Sequence, residues 1–480
     1  MVGFRVRVAV QIAALTAILS ATTELAAWER FHADGANRGF ADVVTKPAGS
    51  GSRSVPNLGT FAPGAGPVVA PDGTVYLGTM EGKLIALHAD GSAFWSRDIN
   101  PGEAIIASPA VGADGSVYVI GTKTIRDHRV DAQEKTVSRS TLHKFTSSGG
   151  WIAQTPFPEH PGSRGSSAPP NIVRIGGVEI VLAPAVYFSR VSTATDVHLV
   201  GFATAGGVLI DQLVSRETAV ATGGSGLSTL GAIGCLVPVV GQISCLICGE
   251  PFGCDYDPQR VDNSPPAPMP GIAIFTFAGG GAPFVIVSDQ RHDVVGYTVS
   301  SPAAPKLTET FRVHDPKRQL LSPPMVLPDG HTLVSTVAGE IVFAGPNGSK
   351  LPPLKLAGGL VYGAPTLTAG GLAASVAGSK LVLLRDGNVV STASLPAPSF
   401  AAAASSRTHV FVSTTDALVT FDADAKRRLQ TFDWVGGGTS PPAIGPKGRV
   451  YAIASNILFV FPPPLQIADR PTRGTIEKTR

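Results

Sequence analysis

Apolar and polar positions along the chain alternate in short bursts, not in a helical rhythm. Two apolar residues follow a Pro, an Asp-Gly turn comes next, and a β-branched or aromatic run follows, as in Pro67-Val-Val-Ala-Pro-Asp72-Gly73-Thr-Val75-Tyr76-Leu77. The pattern recurs at Pro109, with Asp114-Gly115 and Val117-Tyr118-Val119. It recurs at Pro324, with Asp329-Gly330 and Leu333-Val334, and at Pro442, with Lys447-Gly448 and Val450-Tyr451. A further copy starts at Pro365 and a looser one at Pro170, and degenerate ones start at Phe275 and Ala403. The turn Gly supplies the positive φ that a tight hairpin needs.

About ten residues further on, every unit carries a third apolar run. Examples are Lys83-Leu-Ile-Ala-Leu87, Thr141-Leu-His-Lys-Phe145, His198-Leu-Val-Gly-Phe202 and Ala417-Leu-Val-Thr-Phe421. A second turn and a fourth run follow, as at Asp90-Gly91 with Phe94-Trp95, and at Gly149-Gly150 with Trp151-Ile152. Four short strands repeating roughly every 40 residues are the signature of propeller blades. The eight register points, at 67, 109, 170, 275, 324, 365, 403 and 442, predict an all-β fold. It is an eight-bladed β-propeller of four-stranded antiparallel blades, with seven blades as the alternative. The last unit has no fourth strand, because Pro462-Pro463-Pro464 cannot donate ladder hydrogen bonds. An open ring would leave bare edges and apolar faces. A strand near Trp28 and Phe31 is therefore expected to complete the last blade and close the circle.

Residues 1–27 read as a signal peptide: Arg5 and Arg7 precede an apolar run, and Ala26 and Ala27 offer a cleavage region. The run is short for a membrane span. The expected organisation is a leader at 1–27, a propeller at 28–465 and a tail at 466–480, with no transmembrane segment in the mature chain. The third and fourth register points are 105 residues apart, which places an insertion at 216–263 between blades three and four. All four cysteines fall in it: Cys235, Cys245, Cys248 and Cys254. Two disulfides of unknown pairing fit an exported chain. A four-thiolate metal site remains the other reading, although only Cys245 and Cys248 have the usual close spacing.

Gly and Pro together make 95 of 480 residues, and charged residues are 15%. So little charge excludes disorder, and a formal net charge of +3 leaves no electrostatic footprint for nucleic acid. The ten His show no metal-binding motif spacing, and Gly223-Gly-Ser-Gly226 lacks the Lys of a phosphate loop. The polar run Ser288-Asp-Gln-Arg-His292-Asp293 reads as a hairpin turn. No catalytic residue and no metal ligand is assigned.

At Ala86-Leu-His-Ala-Asp90-Gly91-Ser-Ala-Phe-Trp95 the chain resembles the PQQ-like, quinoprotein-type β-propeller repeat, whose blades end on an Asp, a Gly and a Trp packed between blades. The opening stretch from Trp28 to Gly39 is also similar to the start of such proteins. The resemblance implies eight blades and one of two roles. One is a dehydrogenase holding pyrroloquinoline quinone and Ca²⁺. The other is a scaffold that binds protein partners. The adjacent Cys-Cys of the enzymes is absent from this sequence. The expectation is therefore an exported, non-enzymatic, monomeric binding or scaffold protein, periplasmic or secreted, that contacts a protein or cell-envelope component. A quinone- or metal-dependent oxidoreductase with a degenerate site is the alternative.

Overall fold

Each Asp-Gly or Gly-Gly turn closes a hairpin, and the Asp side chain does part of the work. Asp72 Oδ1 accepts the Thr74 amide at 2.8 Å, and Asp114 Oδ1 accepts the Ser116 amide at 2.9 Å. The following Gly73 and Gly115 sit at φ 91° and 78°, where an L side chain is strained. These hairpins join an innermost strand to a second strand, a third lies outside it, and a fourth forms the rim.

The computed structural model describes residues 28–49, 51–127, 135–160, 163–189, 194–218, 270–277, 281–301 and 304–465. Within them the chain is an eight-bladed β-propeller. Blade one runs through Val68–Val69, Val75–Gly78, Lys83–Leu87 and Ala93–Asp98, hydrogen-bonded in that order. Blades two to seven repeat the meander, and blades two and three carry a further short strand each, Ala104–Ile105 and Ser163–Gly165. The expected leader 1–27, the four cysteines and the tail 466–480 lie outside the described residues. Of the expected insertion at 216–263, Arg216, Glu217 and Thr218 belong to the outer strand of blade three, Val208–Thr218. The rest lies outside the described residues.

Buried side chains cluster between blades. Val173, Leu182 and Leu199 of blade three meet Ile272, Val285 and Val295 of blade four. Leu381 and Leu383 of blade six meet Val410 and Val412 of blade seven. Each blade therefore buries its apolar faces only against its neighbours, and the circle must be complete to bury them all. Tyr76, Tyr118 and Tyr451 fill seams, each essentially unexposed, and Tyr76 packs beside Trp95 with ring centroids 5.8 Å apart. Tyr451 donates its hydroxyl to the Ala89 carbonyl across the last seam, at 2.9 Å. Trp95 caps a seam as well: its indole donates to the Ser147 carbonyl of blade two at 2.8 Å.

Ring closure departs from expectation in one respect. The outer strand of blade eight is Arg53–Val55, antiparallel to Ile457–Phe461, and not the segment around Trp28 and Phe31. The N-terminal region does close the ring, about 25 residues later than predicted. In blade four the innermost strand is Gly271–Phe275, so Ile272 and not Phe275 is equivalent to Pro324. Both carbonyls accept from one Asn37 amide, which fixes the match.

Trp28 and the residues after it have a different role: they thread the axis of the ring. An innermost strand has one edge with no neighbour, and its amides need a partner. The N-terminal segment supplies one. Trp28 forms a two-way bridge with Val69 of blade one, at 2.9 and 2.8 Å. The amides of Val111, Ile274, Val326, Leu367 and Ser405 then donate to the carbonyls of Glu29, Gly35, Ala36, Arg38 and Gly39, at 2.6–2.9 Å. Asn171 of blade three donates to the Gly35 carbonyl at 3.0 Å. Phe40–Ala41 pairs in parallel with Ala404–Ser406 of blade seven. The segment thus follows the inner edges round the ring and fills the channel from within.

Candidate functional site

The axial segment divides the channel and leaves a cup on one side. Phe31 forms its floor. Leu321, Pro323, Tyr362, Phe400 and Pro441 are among its walls. The depression is small and open at its mouth. Its wall residues lie just ahead of innermost strands, so the cup opens on the face that carries the blade-to-blade connections.

The chain reaches this shape by placing small residues where neighbouring blades converge. A Cβ on Gly66 would lie 2.9 Å from the Pro441 carbonyl, and one on Gly271 2.4 Å from the Pro323 Cα. Tyr362 and Phe400 meet edge to face with centroids 5.3 Å apart. Burial raises the Tyr362 hydroxyl above its ordinary pKa, so it stays neutral.

On the same face, the strand ends and turns of blades three and four carry ion pairs. Arg216 pairs with Asp196 at 2.6 Å, and Arg291 with Glu217 at 2.6 Å. Arg291 belongs to the Ser288–Asp293 run, which is a turn as expected. Asp289 Oδ1 accepts the amides of Arg291, His292 and Asp293 at 2.8–3.0 Å. On the other side of the same face Val435 is 92% exposed. An apolar cup on a face that also carries polar groups suits capture of an apolar side chain, since one Leu or Phe buried there gains about 1.5–3 kcal/mol.

Below the floor, the axial segment is held by two buried polar side chains. The Asn37 amide donates to the carbonyls of Ile272 and Pro324, both at 2.8 Å, and so ties blade four to blade five. The His32 ring lies 2.7 Å from the Asn37 carbonyl through Nδ1, and 3.0 Å from Thr366 Oγ1 and 2.9 Å from the Ala403 carbonyl through Nε2. Burial lowers its pKa, against the raising pull of the Ala403 and Asn37 carbonyls. The neutral ring fits with Nδ1–H donating to the Asn37 carbonyl, while the Thr366 hydroxyl donates to the Ala403 carbonyl at 2.8 Å.

The resemblance to quinoproteins raises the question of a quinone on the axis. Pyrroloquinoline quinone is a tricarboxylate, and with Ca²⁺ it needs cationic and carboxylate partners. Phe31, Leu321, Pro323, Tyr362, Phe400 and Pro441 offer one neutral hydroxyl and no charge, which does not fit that donor set.

A second cluster was not legible in the sequence. His160, in the connection from blade two to blade three, lies beside His198 and Asp211, on the third and outer strands of blade three. His160 Nε2 is 2.7 Å from Asp211 Oδ2, and His198 Nδ1 is 2.7 Å from Asp211 Oδ1. The nearest signal was the period-two alternation that puts His198 and Asp211 on paired strands; nothing local announces His160. Elsewhere, Glu103 and His143 form a buried pair in blade two at 2.6 Å, each with 1% side-chain exposure. Gly121 leaves the room for it, since a Cβ there would lie 2.3 Å from Glu103 Oε2.

Among solved structures, the chain is similar to BamB from Moraxella catarrhalis, at 15% identity and a TM-score of 0.41. That match covers 88% of this chain and 96% of the other. It is also similar to the Dos1 propeller, at 8% identity and a TM-score of 0.50, covering 87% of this chain and 94% of the other. What is shared with the Dos1 propeller is the fold. No protein-family model matches the chain, and no curated protein sequence matches it. Among the described residues no helix is long and apolar enough to cross a membrane.

Proposed function

We propose that this chain is an exported, non-enzymatic propeller that holds a protein partner of the cell envelope against its cup-bearing face. The observation that carries the reading is the cup: an apolar depression lined by Phe31, Tyr362 and Phe400, on the face where blades three and four carry ion pairs. A partner would insert one apolar side chain and meet those ion pairs with polar groups. Export to the periplasm or beyond rests on the basic, apolar and small-residue order of residues 1–27. The cluster of Cys235, Cys245, Cys248 and Cys254, read as disulfides, supports the same compartment. Kinship with the PQQ-like repeat rests on Asp90, Gly91 and Trp95, the last packed across a blade seam.

A photo-crosslinking residue at position 362 or 435 tests the reading in cells of the source organism, with position 151 on the outer strand of blade two as control. A discrete envelope-protein adduct from 362 and 435, absent from 151, is the expected result. Adducts from 151 alone would refute docking at the cup. Dye-linked dehydrogenase activity after adding pyrroloquinoline quinone and Ca²⁺ would refute the non-enzymatic role. A purified N-terminus other than Trp28 would count against the predicted cleavage.

A further inference from the structure

We propose that His160, His198 and Asp211 bind one divalent transition-metal ion of the zinc class at the seam between blades two and three. Two imidazole nitrogens and a carboxylate oxygen lie within 4.8 Å of one another. Zinc bonds of about 2.0–2.2 Å in a tetrahedron place ligand atoms about 3.3 Å apart. The carboxylate contacts, at 2.7 Å, therefore open by about half an ångström to admit the ion, a rotation of side chains and not of strands. Imidazole with one carboxylate selects zinc, cobalt or nickel over Mg²⁺ and Ca²⁺, which prefer all-oxygen shells.

The ligands are held from three directions. His198 and Asp211 stand on paired strands, in neighbouring register: His198 opposite Leu213 and Val200 opposite Asp211. His160 arrives from the connecting segment. The Tyr187 ring packs against His160 at 4.6 Å and His198 at 5.0 Å between centroids, and its hydroxyl donates to the Pro158 carbonyl at 3.1 Å. That bond fixes the segment two residues ahead of His160. His198 is 10% exposed in its side chain, while His160 and Asp211 are 33% and 29% exposed, so an ion has a path in from solvent. Three protein ligands leave a fourth position for water. The bound ion would tie the connecting segment to blade three and stabilise that seam by mass action.

The test uses the full mature chain with its cysteines oxidised, titrated with cobalt(II) as a probe for zinc. Saturation at one equivalent is expected, with visible d–d absorption and no sulfur-to-cobalt charge-transfer band, and with displacement by zinc. Zinc should also raise the melting temperature. His160→Gln and Asp211→Asn should each weaken cobalt binding at least about tenfold. His160→Gln alters a partly exposed side chain outside the strands, so its metal-free melting temperature should match the wild type and keep the comparison valid. Three results would overturn the proposal: no saturable cobalt binding, an unchanged titration in both variants, or a sulfur charge-transfer band placing the metal on cysteine.

Discussion

Asn37 is where the axial segment can be tested most sharply. Its side chain is buried, its two amide protons meet the carbonyls of Ile272 and Pro324, and its backbone sits at φ 55°. Asn→Ala removes both donors. The Ile272 carbonyl keeps the Asn171 amide at 3.3 Å, while the Pro324 carbonyl is left facing an apolar methyl. At about 1–2 kcal/mol for the unpaired carbonyl and about 1 kcal/mol for the second lost bond, the loss is about 2–3 kcal/mol. A left-handed backbone adds about 1 kcal/mol for Ala, so Asn37→Ala should cost about 3–4 kcal/mol. Asn37→Gly relieves the backbone strain without restoring the donors, and should be less damaging than Ala. Asn37→Asp keeps the shape but sets carboxylate oxygens against two carbonyls, and should be the worst at neutral pH. Urea midpoints give the order, and amide exchange at Ile274 and Val326, which donate to the segment, locates the effect. An Asn37→Ala chain within about 0.5 kcal/mol of wild type would refute the reasoning, because single exposed substitutions change that much. So would a Gly variant less stable than the Ala one.

Three further outcomes follow from the same segment. Gly39 lies at φ 60°, and a Cβ there would fall 2.3 Å from His32 Nε2; Gly39→Ala should lose at least about 2 kcal/mol, and adding His32→Ala should recover part of that loss in urea titration, whereas simple additivity would sink the steric account. A chain beginning at Pro56 lacks both the axial segment and the outer strand of blade eight, and should elute as aggregate or unfolded in size-exclusion chromatography; a folded monomer would show that closure is dispensable. Burial lowers the His32 pKa, so the folded state holds it neutral while the unfolded state titrates near about 6.5; its contribution is full above that value and lost as pH falls below it, so wild type should lose more melting temperature than His32→Gln between neutral pH and about pH 5, and parallel curves would contradict this.

Much of the architecture is written locally. The hairpin turns, the third run of every unit and the missing fourth strand of the last unit follow from turn chemistry and alternation within a few residues. All eight third strands lie where Lys83–Leu87 and its counterparts predict. The register failed in blade four, whose innermost strand, Gly271–Phe275, carries Ile272 where the clearer copies carry Pro. The closing strand was misplaced for a similar reason. Trp28 and Phe31 look like strand residues because they are large and apolar, yet Trp28 is buried against Val69 and Phe31 floors the cup. Arg53–Val55, which does close the ring, has two exposed residues of three and no apolar alternation to announce it.

What the sequence by itself determined is therefore the repeating unit, its count, and the need for the two ends of the chain to meet. Each is a matter of short-range pairing and of apolar faces that must be covered. What only the tertiary structure decided is the content of the axis and of the seams: which residues pair with the free inner edges, where Phe31, Tyr362 and Phe400 converge, and that His160 meets His198 and Asp211. Apart from His198 and Asp211, which share blade three, those neighbours come from separate blades and connections. Their proximity is set by ring geometry and not by chain distance, so no local pattern encodes it.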